Sequence, residues 1–202
     1  MKTSTKKFAF PAIASILLLS CSLPGWVPFF GDDDDDDEKS SDSYQIVVIG
    51  TQTWFARNLN YDAPGSKCYD NNPVNCEKYG RLYNWATAMT ACPSGWHLPN
   101  NEEWNVLVNY TGGFSTAGTE LKAKAGWNNS GNGTDSHGFS ALPGGLGNSV
   151  GFFGAGSGAL WWSASEDDSY DAYYYDMYDD GEDVNWDVRG KSNLFSVRCL
   201  KN

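Results

Sequence analysis

Few residues in this 202-residue chain could do chemistry: five cysteines, two histidines and two dense blocks of acid. Cys68, Cys76, Cys92 and Cys199 are an even set, which in an oxidising compartment reads as a disulfide framework with three possible connectivities. Metal binding is the competing use of these thiols, but there is no Cys-x-x-Cys and the histidines lie elsewhere in the sequence. Asp135-Ser136-His137 has the residue types of a nucleophilic triad. Triad members, however, are assembled from separate parts of a fold, and neighbours in a glycine-rich loop rarely aim at one another. They read as polar loop residues. His97, between Trp96 and Leu98, reads as a packed or hydrogen-bonded residue rather than a base. No catalytic residue and no metal site is assigned.

The oxidising compartment follows from the start of the chain. Lys2, Lys6 and Lys7 precede an apolar run from Phe8 to Leu19, too short for a membrane span and built like a secretory signal. Leu18-Leu19-Ser20-Cys21 resembles a bacterial lipobox, which implies a lipoprotein signal peptide over 1–20, cleavage before Cys21 and diacylglycerol on its thiol. Ser22 in place of an aspartate favours the outer membrane or cell surface. Residues 21–43 read as a tether. Leu23–Phe30 is apolar and suited to lie at the headgroups, and seven acidic residues over 32–38 with a serine-rich end cannot form a core. As a flexible coil the tether spans roughly 25 Å.

The net charge of −11 is concentrated, because Glu166–Asp187 adds ten more acids with no Lys or Arg. Such regions repel phosphates, so nucleic acid is not an expected partner. The expected partners are the membrane, through the anchor, and a polysaccharide or surface protein. No cofactor is expected. Asn128–Asp135 has oxygens enough for a Ca²⁺ loop, but a solvated turn is the simpler reading.

Around these residues the folded domain is expected over 44–202. Gln45–Ile49 and Thr53–Ala56 read as a hairpin about Gly50-Thr51. Tyr61–Lys78 reads as a loop. Leu82, Trp85, Ala86 and Met89 fall on one helical face, and Pro93 stops that helix at Cys92. Asn100 with Glu103 forms a capping-box pattern for a second helix carrying Trp104, Leu107, Val108 and Thr111 up to Gly112-Gly113. Glu120–Ala125 allows a third helix, and Asn128–His137 is a loop. Phe139–Leu142 and Leu160–Ser163 read as brief strands on either side of the glycine-dense segment Gly144–Gly158. Tyr173–Tyr178 and Val184–Val188 flank Asp179-Asp180-Gly181 as a second hairpin. Phe195, Val197 and Cys199 alternate with polar residues, predicting a last strand with one buried face. Strands at both ends with helices between predict an α+β domain whose termini pair.

Several runs carry a family resemblance. Ile49-Gly50-Thr51-Gln52-Thr53-Trp54-Phe55-Ala56-Arg57-Asn58-Leu59-Asn60-Tyr61 resembles the opening of the Fibrobacter succinogenes major paralogous domain. So do Tyr79–Trp85, Cys92–Pro99, Gly138–Gly145, Trp161–Ser165 and Ser196–Cys199, in that order, across about residues 45–202. Members are typically secreted or lipid-anchored bacterial proteins without an assigned activity. The resemblance implies a C-type-lectin-like or sulfatase-modifying-factor-like fold, with two short helices, small antiparallel sheets and many loops. In that fold a helix-borne Cys is bridged to one on the last strand, which maps onto Cys92 and Cys199. Cys68–Cys76 would close a short Pro/Asn loop.

The lectin motifs Glu-Pro-Asn and Trp-Asn-Asp are absent, so sugar binding through Ca²⁺ does not carry over with the fold. Formylglycine-generating chemistry needs two cysteines close together near the C-terminus, and only Cys199 is there. The expectation is a non-catalytic binding module for a glycan or protein. An enzyme related to the formylglycine-generating group and a structural surface-coat protein are the competing readings. Strand alternation puts Tyr174, Asp176 and Tyr178 on the outward face of the second hairpin, and with Trp186 they are the candidate ligand-binding residues.

Overall fold

Gly50 sets the first turn of the domain. The computed structural model describes residues 44–202, and in it Gly50 adopts φ +60°, a left-handed conformation that glycine takes at little cost. The turn joins β1 (Ile46–Ile49) to β2 (Gln52–Phe55), paired antiparallel from Ile46↔Phe55 to Ile49↔Gln52. The signal, Cys21 and the acidic tether lie outside the described residues.

The segment expected to be a loop contains a helix. Asn72 accepts a hydrogen bond from the Val74 N–H and Pro73 occupies the first helical position, so α1 runs Pro73–Tyr79. Leu82–Tyr83 is β3 and not part of the following helix. That helix, α2 (Trp85–Ala91), starts instead at Asn84, whose side chain accepts from the Thr87 N–H, and it buries Ala88 and Ala91. The expected face through Met89 is therefore corrected: Met89 is exposed. After β4 (Trp96–His97), α3 (Asn101–Tyr110) opens with the expected box, Asn100 accepting from the Glu103 N–H and Glu103 from the Asn100 N–H. Its buried face is Trp104, Leu107 and Val108. The next helix, α4 (Ala117–Leu121), starts and ends earlier than expected.

Seven strands complete the chain: β5 (Gly144–Gly147), β6 (Phe152–Ala155), β7 (Gly158–Glu166), β8 (Asp171–Tyr178), β9 (Asn185–Gly190), β10 (Phe195–Ser196) and β11 (Leu200–Lys201). The expected strand at Phe139–Leu142 contributes a single bridge, Lys122↔Ala141, whereas the glycine-dense segment supplies two strands. A four-stranded sheet has the order β1-β2-β11-β4, so both ends of the described chain pair, through Leu200↔Trp54. In the second, seven-stranded sheet, β7 is the hub. It pairs antiparallel with β8 and parallel with β10 and β5, while β9 pairs β8.

Residues of β7 and β8 point alternately into two aromatic-rich cores. Trp161, Tyr175 and Met177 pack with Trp54, Trp104 and Phe139 on one side. Leu160, Trp162 and Tyr174 pack with Phe55, Tyr83 and Phe195 on the other. The domain is thus α+β with short helices, small sheets and two disulfides, Cys68–Cys76 and Cys92–Cys199. The chain end departs from its predicted pattern. It is split between the two sheets, and Ser196 and Arg198 are buried along with Phe195, Val197 and Cys199.

Candidate binding cleft

The hairpin expected to bind ligand is divided by its own register. Tyr174 pairs with Asp187 and Tyr175 with Trp186, so Trp186 shares a face with Tyr173 and Tyr175 rather than with Tyr174. Tyr174 is 3% exposed, packed on Phe195 with ring centres 5.0 Å apart. Asp176 is 5% exposed, and Tyr178 is open to solvent. The expected outward surface of Tyr174, Asp176, Tyr178 and Trp186 is therefore not formed. Strand alternation exposes one face only when the sheet has a single core, and β8 lies between two.

Asp176 is held at a cost. Its Oδ1 is buried without a hydrogen-bond partner. Burial pushes its carboxyl up to about 6, against the hydrogen bond from Asn185, and the nearby Asp183 and Asp187 push the same way.

What the register leaves open is a cleft of about 270 Å³ between α3 and the hairpin. Trp186 is 54% exposed and its ring centre lies 5.7 Å from that of the half-buried Tyr173. The neighbouring Asp167 raises the Tyr173 hydroxyl pKa. Opposite stand Asn101 and Asn105, one helical turn apart and therefore on one side of α3. The Tyr175 hydroxyl lies 3.0 Å from Asn105 Oδ1, to which it donates, and Asn101 Oδ1 is buried with no partner. Two aromatic faces beside two side-chain amides suit a ligand with both apolar and hydroxyl surfaces. The sequence reading found Trp186 but missed Tyr173, Asn101 and Asn105. Their signal was the capping box itself, which fixes where α3 starts and so where Asn101 and Asn105 point.

The other singled-out residues are absorbed by the fold. His97 is hydrogen-bonded to Asn202 Oδ1 (2.7 Å) through Nδ1 and to Glu103 Oε1 (2.9 Å) through Nε2, tying β4 to α3 and the chain end. His137 meets Glu120 at 2.6 Å, Asp135 accepts from the Ser140 N–H and hydroxyl, and Ser136 bonds Thr134. Asp135, Ser136 and His137 thus have three separate partners. In the candidate calcium loop, Asn129 donates to Asp179 Oδ2 (2.8 Å) and Asn132 accepts from the Trp127 N–H. Among the described residues no three His, Cys, Asp or Glu side chains form a metal-ligand set.

Two sheets joined at β2 and β7 to short capped helices, with a half-open aromatic cleft and two cystines, define a loop-rich α+β domain. Residues 47–201 match the Fibrobacter succinogenes major domain, and the chain belongs to that family. No curated protein and no solved structure matches it. No helix of the described residues is long and apolar enough to cross a membrane.

Proposed function

We propose that the chain is a lipid-anchored, non-catalytic binding module that presents a glycan-binding cleft at the bacterial outer membrane or cell surface. The observation that carries this reading is the Tyr173–Trp186 pair, 5.7 Å between ring centres, in a cleft that Asn101 and Asn105 line from α3. Aromatic rings stack on the apolar faces of sugars, and side-chain amides suit hydrogen bonding to their hydroxyls. A C-type-lectin-like architecture belongs to the same proposal. It is supported by the cystine joining Cys92, at the end of α2, to Cys199, beside the terminal strand. Cys21 would carry the lipid and residues 21–43 would hold the domain clear of the headgroups. More than one acyl chain is required for a firm anchor.

Two experiments test the parts separately. For the anchor, Cys21→Ala expressed in a bacterial host should leave the membrane fraction or accumulate unprocessed, and unchanged fractionation would contradict it. For the ligand, the purified protein is screened for retention on cellulose, xylan, other wall polysaccharides and surface proteins. Retention by a polysaccharide is expected, and retention by surface proteins alone would replace the glycan reading.

A further inference from the structure

A second cavity, of about 550 Å³, lies between the segments that flank the β1–β2 hairpin (44–45 and 56–60), α1 and the segment around Ser140, and shares no lining residue with the Tyr173–Trp186 cleft. Its charge runs against that of the chain. Arg57, Lys78 and Arg198 line it against one acid, Glu77, in a protein of net charge −11.

Arg198 is the unusual member. It is 1% exposed, yet no carboxylate pairs with it among the described residues. Its partners are neutral: Asn58 Oδ1, the carbonyls of Phe55 and Phe139, and the Phe139 ring, 4.2 Å from the guanidinium carbon. Asp135, whose field favours the charged form, is already held by Ser140. Burial lowers the guanidinium to about 9, which still leaves it charged at neutral pH. Taking a cation out of water without a counter-charge is unfavourable, and an anion entering the cavity would offset it. Arg57 and Lys78, both exposed, can reach such an anion from the rim. Tyr44 and Tyr79 add aromatic surface, and Gln45 and Asn60 add amides.

We infer that this cavity binds an anionic sugar residue, its carboxylate or sulfate ester directed to Arg57, Lys78 and the field of Arg198. The site goes beyond the glycan cleft and stands or falls independently of it. A guanidinium matches both carboxylate and sulfate oxygens, and the tyrosines and amides suit a sugar ring with hydroxyls.

The test is a ligand-observed NMR titration of the detergent-solubilised full chain with galacturonic acid, galactose 6-sulfate, neutral galactose and inorganic sulfate. One or both anionic sugars should bind saturably and at least tenfold tighter than galactose or inorganic sulfate. The two anionic sugars separate the carboxylate from the sulfate source. Arg57→Ala with Lys78→Ala, two exposed positions that leave the core intact, should weaken this binding at least tenfold, while Trp186→Ala should leave it unchanged. No saturable binding of either anionic sugar would overturn the assignment. So would galactose or inorganic sulfate binding as tightly, or a folded double variant binding like the parent.

Discussion

Asn58 Oδ1 lies 2.9 Å from Nη2 of the buried Arg198 and accepts from that group, from Arg198 Nε at 3.2 Å and from Trp161 Nε1 at 2.8 Å. One amide oxygen therefore holds a buried cation and a core tryptophan, while its Nδ2 donates to Tyr79 O and Ser196 Oγ. Asn58→Leu removes every one of these bonds and leaves Arg198 Nε and Nη2 without their acceptor, Nη1 alone keeping the carbonyls of Phe55 and Phe139. It should cost about 3 kcal/mol or more, because donors on a charged group are left without an acceptor in a dry site. Urea unfolding of the purified variant checks this, and a loss below about 1 kcal/mol would show that the knot is dispensable.

Gly80 closes against the same residue. It sits at φ +77°, and a Cβ there would lie 2.7 Å from Asn58 Cβ and 2.8 Å from Leu59 O. Gly80→Ala should combine left-handed strain with this overlap and lower the thermal midpoint by several degrees.

The two cystines should differ in worth. Cys92–Cys199 closes 107 residues of sequence and Cys68–Cys76 closes 8. In the chain-entropy account these contribute about 4.8 and about 2.5 kcal/mol. Cys199→Ser should thus destabilise far more than Cys76→Ser in matched denaturation curves. Non-reducing peptide maps of the parent should join each pair as stated.

Asp176 predicts a pH dependence. Its folded carboxyl is raised from the ordinary 3.8 to about 6, so the folded chain holds this proton more tightly than the unfolded one. Its contribution to stability is complete below about pH 4 and is lost as pH rises through 6. Asp176→Asn, which cannot ionise, should be roughly 2–3 kcal/mol more stable than the parent at pH 8, with the advantage gone near pH 4. Denaturation midpoints across that range decide it.

Local signals are legible in the sequence and long-range ones are not. The Asn100–Glu103 box and the Gly50 turn depend on residues three or four apart, and both form as read. Asn72-Pro73 is an equally local helix start, masked by the surrounding Asn and Pro residues, which read as loop. Strands β5 and β6 give no signal, since their glycines have low strand propensity; β5 pairs with β7, and β6 pairs only with β5. Alternation turns Tyr174 and Asp176 outward only where a strand has core on one face, and β8 has core on both. Unbroken burial from Gly158 to Ser163 in β7 follows from the apolar run through Leu160-Trp161-Trp162, which was the sign of a doubly covered sheet. Arg198 was hidden in the same way, as a polar residue in an alternating run. For the candidate cleft, Trp186 was legible, and its partners came into view only with the register of β8 on β9.

The central claim is that the Tyr173–Trp186 cleft binds glycan. Its most direct test is calorimetric titration of the parent and of Trp186→Ala with an oligosaccharide cut from whichever polysaccharide retains the protein. Trp186 is more than half exposed, so its removal should leave the thermal midpoint almost unchanged. The parent should bind saturably, and the variant should lose at least tenfold in affinity, about 1.4 kcal/mol or more. Equal affinity of the two folded proteins would contradict it.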